Sequence, residues 1–465
     1  MSAAPLLDSS RLRTLDGFSQ MTPGASYVTE PTRAEEIAEI IHRAARARRP
    51  IVMRGNGRSY GDASVLPESV AISLARMREV RNWNAHTGEI TVAAGASLGE
   101  IWRFALPDGF WLPVVSGTMR PQIGGAIGAN IHGKNNWHAG TIGEHVTSLR
   151  IIDATGQDRT LTPADPDFWA VVGGYGLIGV LHEVTLRLRP VSSGNLLVTS
   201  RALSDWDAQF DAFEAASGAD YAVSWIDGFR PGRGVFQSAQ YVPSAEPASL
   251  RPEYQELPDR ILGVLPKAKA WRVLRHLTHR PGMRLGAAAK YHAARLRPGE
   301  TAMMPFTAFH FPLDYLPDWE RAYAPRRLVQ VQAAVSRTAA PAVFPRLFDL
   351  CRAHGIPPYL VVMKRHRPDV AVLPYLCDGY SLAMDFAVSL APEDPFWTLY
   401  RKLVQTFLDQ EGRFYFAKDL RLTSDDARHS VGIPRFEAFR AIKQRWDPEQ
   451  VFDSALGRRI GLTMA

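Results

Sequence analysis

The chain has 465 residues, 46% of them hydrophobic and 22% charged, which is the balance of an ordinary globular protein and not of a disordered one. Its two cysteines, Cys351 and Cys377, exclude a disulfide-stapled scaffold and fit a reducing compartment. No run of about 18 apolar residues is present to span a bilayer. The formal net charge of +7 leaves open nucleic acid, an anionic membrane surface or an anionic substrate. That excess is concentrated, since residues 267–297 hold nine Lys or Arg and no Asp or Glu.

At about 150 residues per domain the length suggests three units, which large mixed folds commonly fuse into two. The N-terminal MSAAPLLDSS lacks a basic segment followed by an apolar one, so no signal peptide is expected. Thr32 and Glu35 form a predicted capping box, and Ile37, Ile40, Ile41 and Ala44 recur at helical spacing before a basic end and Pro50. The apolar IVM at 51–53 reads as a strand entering a glycine loop. Residues 80–95 read as a hairpin turning at His86, Thr87, Gly88 and Glu89. Ser97 and Glu100 cap a helix carrying Ile101, Trp102 and Phe104, and a second hairpin turns at Ala154, Thr155 and Gly156. A short helix near Phe168 and Trp169 precedes a strand that puts Val180, His182, Val184, Leu186 and Leu188 on one face, with Arg187 and Arg189 on the other. From about residue 196 longer helical patterns mix with aromatic-rich strands. The segment FYFAKDLRLTS near the end reads as strand, then polar.

Two glycine-rich segments carry the chemistry. Residues 54–62, RGNGRSYGD, follow a strand, and their backbone N–H groups can converge on an anion. Arg58 and Ser59 add donors suited to phosphate. Residues 116–136 place Gly124, Gly125, Gly128 and Gly133 so that a large planar or phosphorylated ligand can lie against bare backbone, with His132 and Lys134 beside it.

Three other matches mislead. Gly174 to Gly179 is literally GxGxxG, but a helix precedes it and a strand follows, the reverse of a dinucleotide fingerprint. Gly95 to Gly99 is literally GxSxG, yet Ser97 is accounted for as a helix cap. The pairs His276 with His279 and His132 with His138 lack metal-ligand spacing, so no metal is expected.

The segments RGNGRSYGD, SGTMRPQIGGAIGANIHGKN, FWAVVGGYGLIGV, FPLDYLPDWERAYAP, FYFAKD and DPEQVFDSALGRR together resemble the vanillyl-alcohol-oxidase superfamily of flavoproteins. Within it the chain is most similar to the decaprenylphosphoryl-β-D-ribose 2′-oxidase family, over nearly its whole length. The resemblance implies an α+β, two-domain PCMH-type FAD-binding fold with an inserted antiparallel-sheet substrate domain. The expected boundaries are residues 10–195 for the FAD-binding domain, 196–405 for the substrate domain with a basic loop at 267–297, and 406–465 for a segment returning to the FAD domain. Many relatives attach the flavin through a His where Arg58 stands here, so FAD is expected to be held non-covalently. By position, Gly55, Asn56, Gly57, Arg58, Ser59 and Tyr60 hold the pyrophosphate side. Gly117, Thr118, Gly124, Gly125, Ala129, Asn130, Ile178 and Tyr415 line the rest of the flavin. His132, Lys134 and Lys418 fall around the ring system and substrate, and Trp225, Gln330, Gln332 and Lys364 match the substrate pocket.

The implied reaction oxidises a lipid-linked sugar alcohol to a 2-keto sugar, with a separate NAD(P)H-dependent keto-sugar reductase as partner. Soluble alditols or aldonolactones are the alternative substrates. Alcohol oxidation needs a cation beside the flavin and a group able to take a proton; Lys418 and His132 both qualify. The family's mycobacterial enzyme carries a cysteine where this chain has Ala383, and two further pocket positions read as His310 and His366 instead of aromatic rings. The basic run at 267–297, with Trp271, Leu274, Leu277 and Leu285, offers a peripheral docking surface for an anionic inner-membrane leaflet from the cytoplasmic side; a solvated basic loop is the plainer account. No nucleic-acid-binding motif accompanies the charge.

Overall fold

The computed structural model describes residues 6–261 and 263–463; the first five residues of the N-terminal segment read above lie outside that range. Three large sheets organise the described residues, beside two small two-stranded ones. The first has four strands in the order Leu12–Leu15, Gly24–Thr29, Val70–Ser73, Ile51–Arg54. The helix Ala34–Arg46 buries Ile37, Ile41 and Ala44 and leaves Ile40 half-buried. Its entry is tied by the Thr32 N–H donating to the Glu36 carboxylate at 2.8 Å. The partner is therefore Glu36 and not the predicted Glu35, because helix begins only at Ala34.

The second sheet has five strands, in the order Val80–Asn84, Glu89–Ala93, Val180–Arg187, Val146–Ile152, Asp158–Leu161. Both predicted hairpins are present. The first turns one residue earlier than expected: Asn84 accepts from the His86 N–H at 3.0 Å, and Glu89 already belongs to the strand. Ser97 and Glu100 form the reciprocal cap of the helix Leu98–Ala105. Gly174 to Gly179 lie between the short helix Phe168–Val171 and the strand from Val180, in the inverted order read from the sequence.

The third sheet is antiparallel, with eight strands in the order Thr301–Pro305, Asn195–Leu203, Gly234–Tyr241, Tyr221–Ile226, Leu360–His366, Gly379–Val388, Arg327–Ser336, Arg413–Phe414. Side chains alternate across a strand, and here the alternation separates core from cleft. Val361, Met363, Leu382, Met384, Phe386, Val329, Val331 and Ala333 are buried. Their neighbours Val362, Lys364, Ser381, Ala383, Asp385, Gln330 and Gln332 line a cleft. In the core Phe210 stacks on Phe344 and meets Tyr380 edge-on, with Phe386 against Phe396.

Two readings change. The basic run at 267–297 is not a loop. It forms the short helix Ala270–Leu274 and the longer helix Arg280–Arg295, whose entry is capped by His279 and started by Pro281. The Ala-rich GAAAKYHAAR was the signal that its charge obscured. The segment FYFAKDLRLTS is strand only at its first residue, the end of the strand Arg413–Phe414, and then makes a tight turn over Phe416–Lys418.

Candidate functional site

The cleft encloses about 580 Å³ and is walled by both glycine segments on one side and the open face of the large sheet on the other. Residues 54–62 turn sharply after their strand. Gly57 adopts φ +63°, a conformation costly for other residues, and the Arg54 guanidinium fills the space behind it, donating to the Asp16 carbonyl at 2.9 Å. Asn56 donates to the Arg120 carbonyl at 2.7 Å, joining the two glycine segments. The Tyr60 N–H donates to the Ala417 carbonyl at 2.8 Å. Arg459 locks this junction from behind. It grips the Asp62 carboxylate at 2.8 and 2.9 Å and Asp419 at 2.7 Å.

The second segment turns into the short helix Ile123–Gly128. Thr118 donates its hydroxyl, and Met119 its N–H, to Asp314, each at 2.7 Å, so the FPLDYLPDWERAYAP region closes over this wall. A Cβ placed on Gly125 would meet no protein atom within 4 Å, because this glycine faces the open cleft. Arg58 lines the cleft, and its Nε is buried with no protein partner. Bare backbone beside an unpartnered guanidinium donor, in a cavity of suitable size, fits a dinucleotide. Gly125→Val is expected to leave the chain folded and to abolish retention of flavin, read as loss of yellow colour from purified, correctly melting protein; a yellow variant would remove Gly125 from the cradle.

His132 is 6% exposed. Its Nδ1 contacts the Tyr375 hydroxyl, which itself donates to the Asn130 carbonyl at 3.2 Å. Nδ1 must therefore carry the hydrogen, and Nε2 accepts from the Gln332 amide at 3.3 Å. Burial, reinforced by Lys364, His366 and Lys418, holds the imidazole well below its usual range. Tyr375 stacks on Tyr415 at 4.1 Å, and Tyr415 donates to the Ala129 carbonyl at 2.9 Å.

Lys418 lies with its ammonium 3.5 Å from the Tyr60 ring centroid. Burial and the nearby Lys364 lower its pKa, while Asp385 pulls it up. Asp385 is fully buried. Its Oδ1 accepts from Gln330, its Oδ2 has no hydrogen-bond partner, and burial raises its pKa. Lys134 packs on the Phe309 ring at 4.1 Å and donates to the Phe309 carbonyl. Burial, with Lys364 and Lys290, brings it down to about 7. Burial brings Lys364 to about 8.

Of the residues singled out from sequence, Gly55, Asn56, Gly57, Arg58, Ser59, Tyr60, Gly117, Thr118, Gly124, Gly125, Ala129, His132, Lys134, Ile178, Trp225, Gln330, Gln332, Lys364, Tyr415 and Lys418 all line this one cleft. Asn130 stands just behind its wall. Its side-chain oxygen accepts from the Gly143 N–H at 3.2 Å. His310 and His366 do not line the cleft. His310 stacks on Trp111, and His366 bridges Asn136 at 3.0 Å and Ser381 at 2.7 Å. Ala383 does line it, and neither cysteine does. Burial raises Cys351 to about 12 and Cys377 to about 11, so neither is a ready nucleophile. The Ser97 hydroxyl is consumed by Glu100 at 2.7 Å. His279 is taken up as a helix cap and His138 by the Ser217 carbonyl. Among the described residues no group of three or more His, Cys, Asp or Glu is placed to hold a metal. Sequence reasoning missed Asp385, Asp314, Tyr375 and Lys290. Asp385 alone had a local signal, a carboxylate inside the apolar strand SLAMDFAV.

Residues 25–162 match the family described as FAD binding domain. Decaprenylphosphoryl-β-D-ribose oxidase of Mycolicibacterium smegmatis is 30% identical over 97% of this chain and 98% of its own. L-gulono-1,4-lactone dehydrogenase of Mycobacterium tuberculosis is 24% identical over 94% and 96%. Alditol oxidase of a Streptomyces species is 25% identical over 50% and 56%.

Proposed function

The chain belongs to the decaprenylphosphoryl-β-D-ribose oxidase family of FAD-linked oxidoreductases, and from that premise we propose that it holds FAD non-covalently and oxidises the 2′-hydroxyl of a polyprenyl-phosphoryl-β-D-ribose to a 2-keto sugar. The observation that carries the chemistry is Lys418, an amine in the cleft wall with no hydrogen-bonded protein partner among the described residues and with the charge of a buried carboxylate, Asp385, acting on it.

Bound FAD supplies the acceptor for the hydride that leaves the carbinol carbon. The two glycine segments, with Arg58, Ser59 and Tyr60, hold the dinucleotide. Lys418 takes the hydroxyl proton. A cation-crowded, buried amine is partly neutral near neutral pH and so able to accept it. Asp385 then stabilises the ammonium that forms, much as a carboxylate steadies a catalytic imidazolium. His132 is the weaker candidate for the proton: both ring nitrogens are engaged, and positive neighbours oppose its protonation. With Gln332 and Tyr375 it shapes the wall on which the sugar is oriented.

The basic segment supports a membrane-surface setting for this reading. No helix among the described residues is long and apolar enough to cross a membrane. Leu277, Leu285 and Leu296 are 50, 71 and 83% exposed amid the cationic run, and Val264 is 74% exposed. Trp271 and Leu274 are half-buried, Trp271 lying beneath Arg321. The exposed leucines and the basic side chains together suit an anionic lipid surface, where a lipid-linked substrate resides. A keto-sugar reductase using NAD(P)H would consume the product.

The test is a visible spectrum followed by anaerobic titration. Purified protein is expected to be yellow, to release its flavin into the supernatant on acid precipitation, and to bleach with a short-chain polyprenyl-phosphoryl ribose. Bleaching by free alditols or aldonolactones and not by the lipid-linked sugar would move the substrate to the soluble class. A yellow acid pellet would overturn non-covalent binding.

A further inference from the structure

Lys290 belongs to neither glycine segment and to no motif, yet it reaches the cleft. The helix Arg280–Arg295 seats itself through Ala287 and Tyr291, four residues apart and both buried, with the Arg233 guanidinium 4.7 Å from the Tyr291 ring centroid. That anchoring turns the preceding residue, Lys290, toward the large sheet. Its ammonium lies 4.5 Å from the Trp225 ring centroid and lines the cleft. The residue as a whole is exposed. The ammonium is nevertheless surrounded by enough protein to bring its pKa down to about 8.

Lys134 and Lys364 line the same cavity, and both Lys290 and Lys364 act electrostatically on Lys134. Among the described residues none of the three forms an ion pair with a carboxylate. Lys134 is held by a carbonyl and a ring, Lys290 by a ring alone. Uncompensated like charges in a protein wall repel one another and are kept where an anion arrives to satisfy them. Lysines present compact, mobile charges and suit a phosphate of variable pose, in contrast to the fixed fork of arginine.

We propose that Lys290, Lys134 and Lys364 form a phosphate-ester subsite, and that Lys290, delivered by the basic helix, makes the enzyme prefer phosphorylated sugars over neutral ones. This rests on the proposed oxidation of a phosphorylated sugar and adds the group that recognises its phosphate. The same helix turns Leu285 to solvent, so one element contacts the phosphate on its inner side and offers an apolar residue on its outer side.

The test uses FAD-loaded enzyme and three probes: a short-chain polyprenyl-phosphoryl ribose, methyl β-D-ribofuranoside and methyl phosphate. Lys290→Ala keeps a strong helix former at the position. It is expected to raise KM for the phosphorylated sugar roughly tenfold more than KM for the neutral glycoside, the size of one charge-assisted hydrogen bond. Calorimetric affinity for methyl phosphate should fall by a similar factor, and Lys290→Arg should restore most of both. Equal effects on the two sugars, or unchanged methyl phosphate affinity, would overturn the subsite. If neither sugar bleaches the flavin but methyl phosphate affinity still falls in Lys290→Ala, the subsite stands and the oxidation reading fails. Bleaching by the phosphorylated sugar with no dependence on Lys290 removes only the subsite.

Discussion

Lys418→Ala is expected to slow anaerobic flavin reduction by the sugar by roughly 10²–10⁴-fold, the usual contribution of a positioned proton acceptor, while flavin stays bound. Lys418→Arg should be equally slow, since guanidinium does not give up its proton in this pH range. The more discriminating variant is Asp385→Asn. A neutral Lys418 is needed to accept the proton, so the reduction rate should rise with pH through the lysine's pKa and level off above it. Burial and Lys364 depress that pKa, and Asp385 raises it. Removing the carboxylate therefore leaves only depressing influences, and the rise should move to lower pH while the plateau falls. Because the two groups titrate as a pair, the wild-type limb reports the pair and not either residue alone. A profile that keeps its midpoint in Asp385→Asn, or a Lys418→Ala enzyme that bleaches at wild-type speed, would sink the assignment.

Arg459→Met is expected to destabilise the protein by about 3–5 kcal/mol, as breaking a buried ion pair from one side does. Arg459 is the shared partner of Asp62, Asp419 and the Leu422 carbonyl, the last at 2.7 Å, and its two carboxylates are nearly buried. Their charges hold its own pKa above the usual arginine range. Removing the guanidinium strands Asp62, two residues from Tyr60, and leaves Asp419, next to Lys418, with only the Tyr400 hydroxyl and the Arg421 and Leu422 N–H groups. Urea unfolding should show the loss, and the variant should also shed flavin more readily on dilution. A variant within about 1 kcal/mol of wild type, the ordinary range of a surface pair, would mean that Arg459 is not the clasp described above.

Features carried by adjacent residues were legible in the sequence. The Ser97–Glu100 cap, the alternation from Val180 to Leu186 and the inverted order around Gly174–Gly179 each depend on a few neighbouring side chains, and each stands as read. The glycine segments were legible because a ligand against bare main chain requires glycine wherever it approaches. What escaped was made by long-range register. Asp385 reaches the cleft because Gln330 sits opposite it on the neighbouring strand, and nothing within its own segment reports that pairing. Tyr375 matters through His132, Asn130 and Tyr415, the first of them 243 positions away. Lys290 was hidden in a run whose charge drew attention from its helical spacing. His310 and His366 were placed in the pocket by analogy, but their rings go to polar and aromatic packing behind the wall.

The clasp around Asp62 also sets an order of events during synthesis. Its partner lies 397 positions later, and the strand at Ile51 is met along its outer edge by Phe452. At about 5–20 residues per second a ribosome needs roughly 20–80 s to bridge that gap. Throughout that interval the nascent chain carries the early turns without the residues that brace them. If the proposed flavin is held by these turns, its capture is expected only after Arg459 has emerged, and a chain truncated before that residue should not retain it.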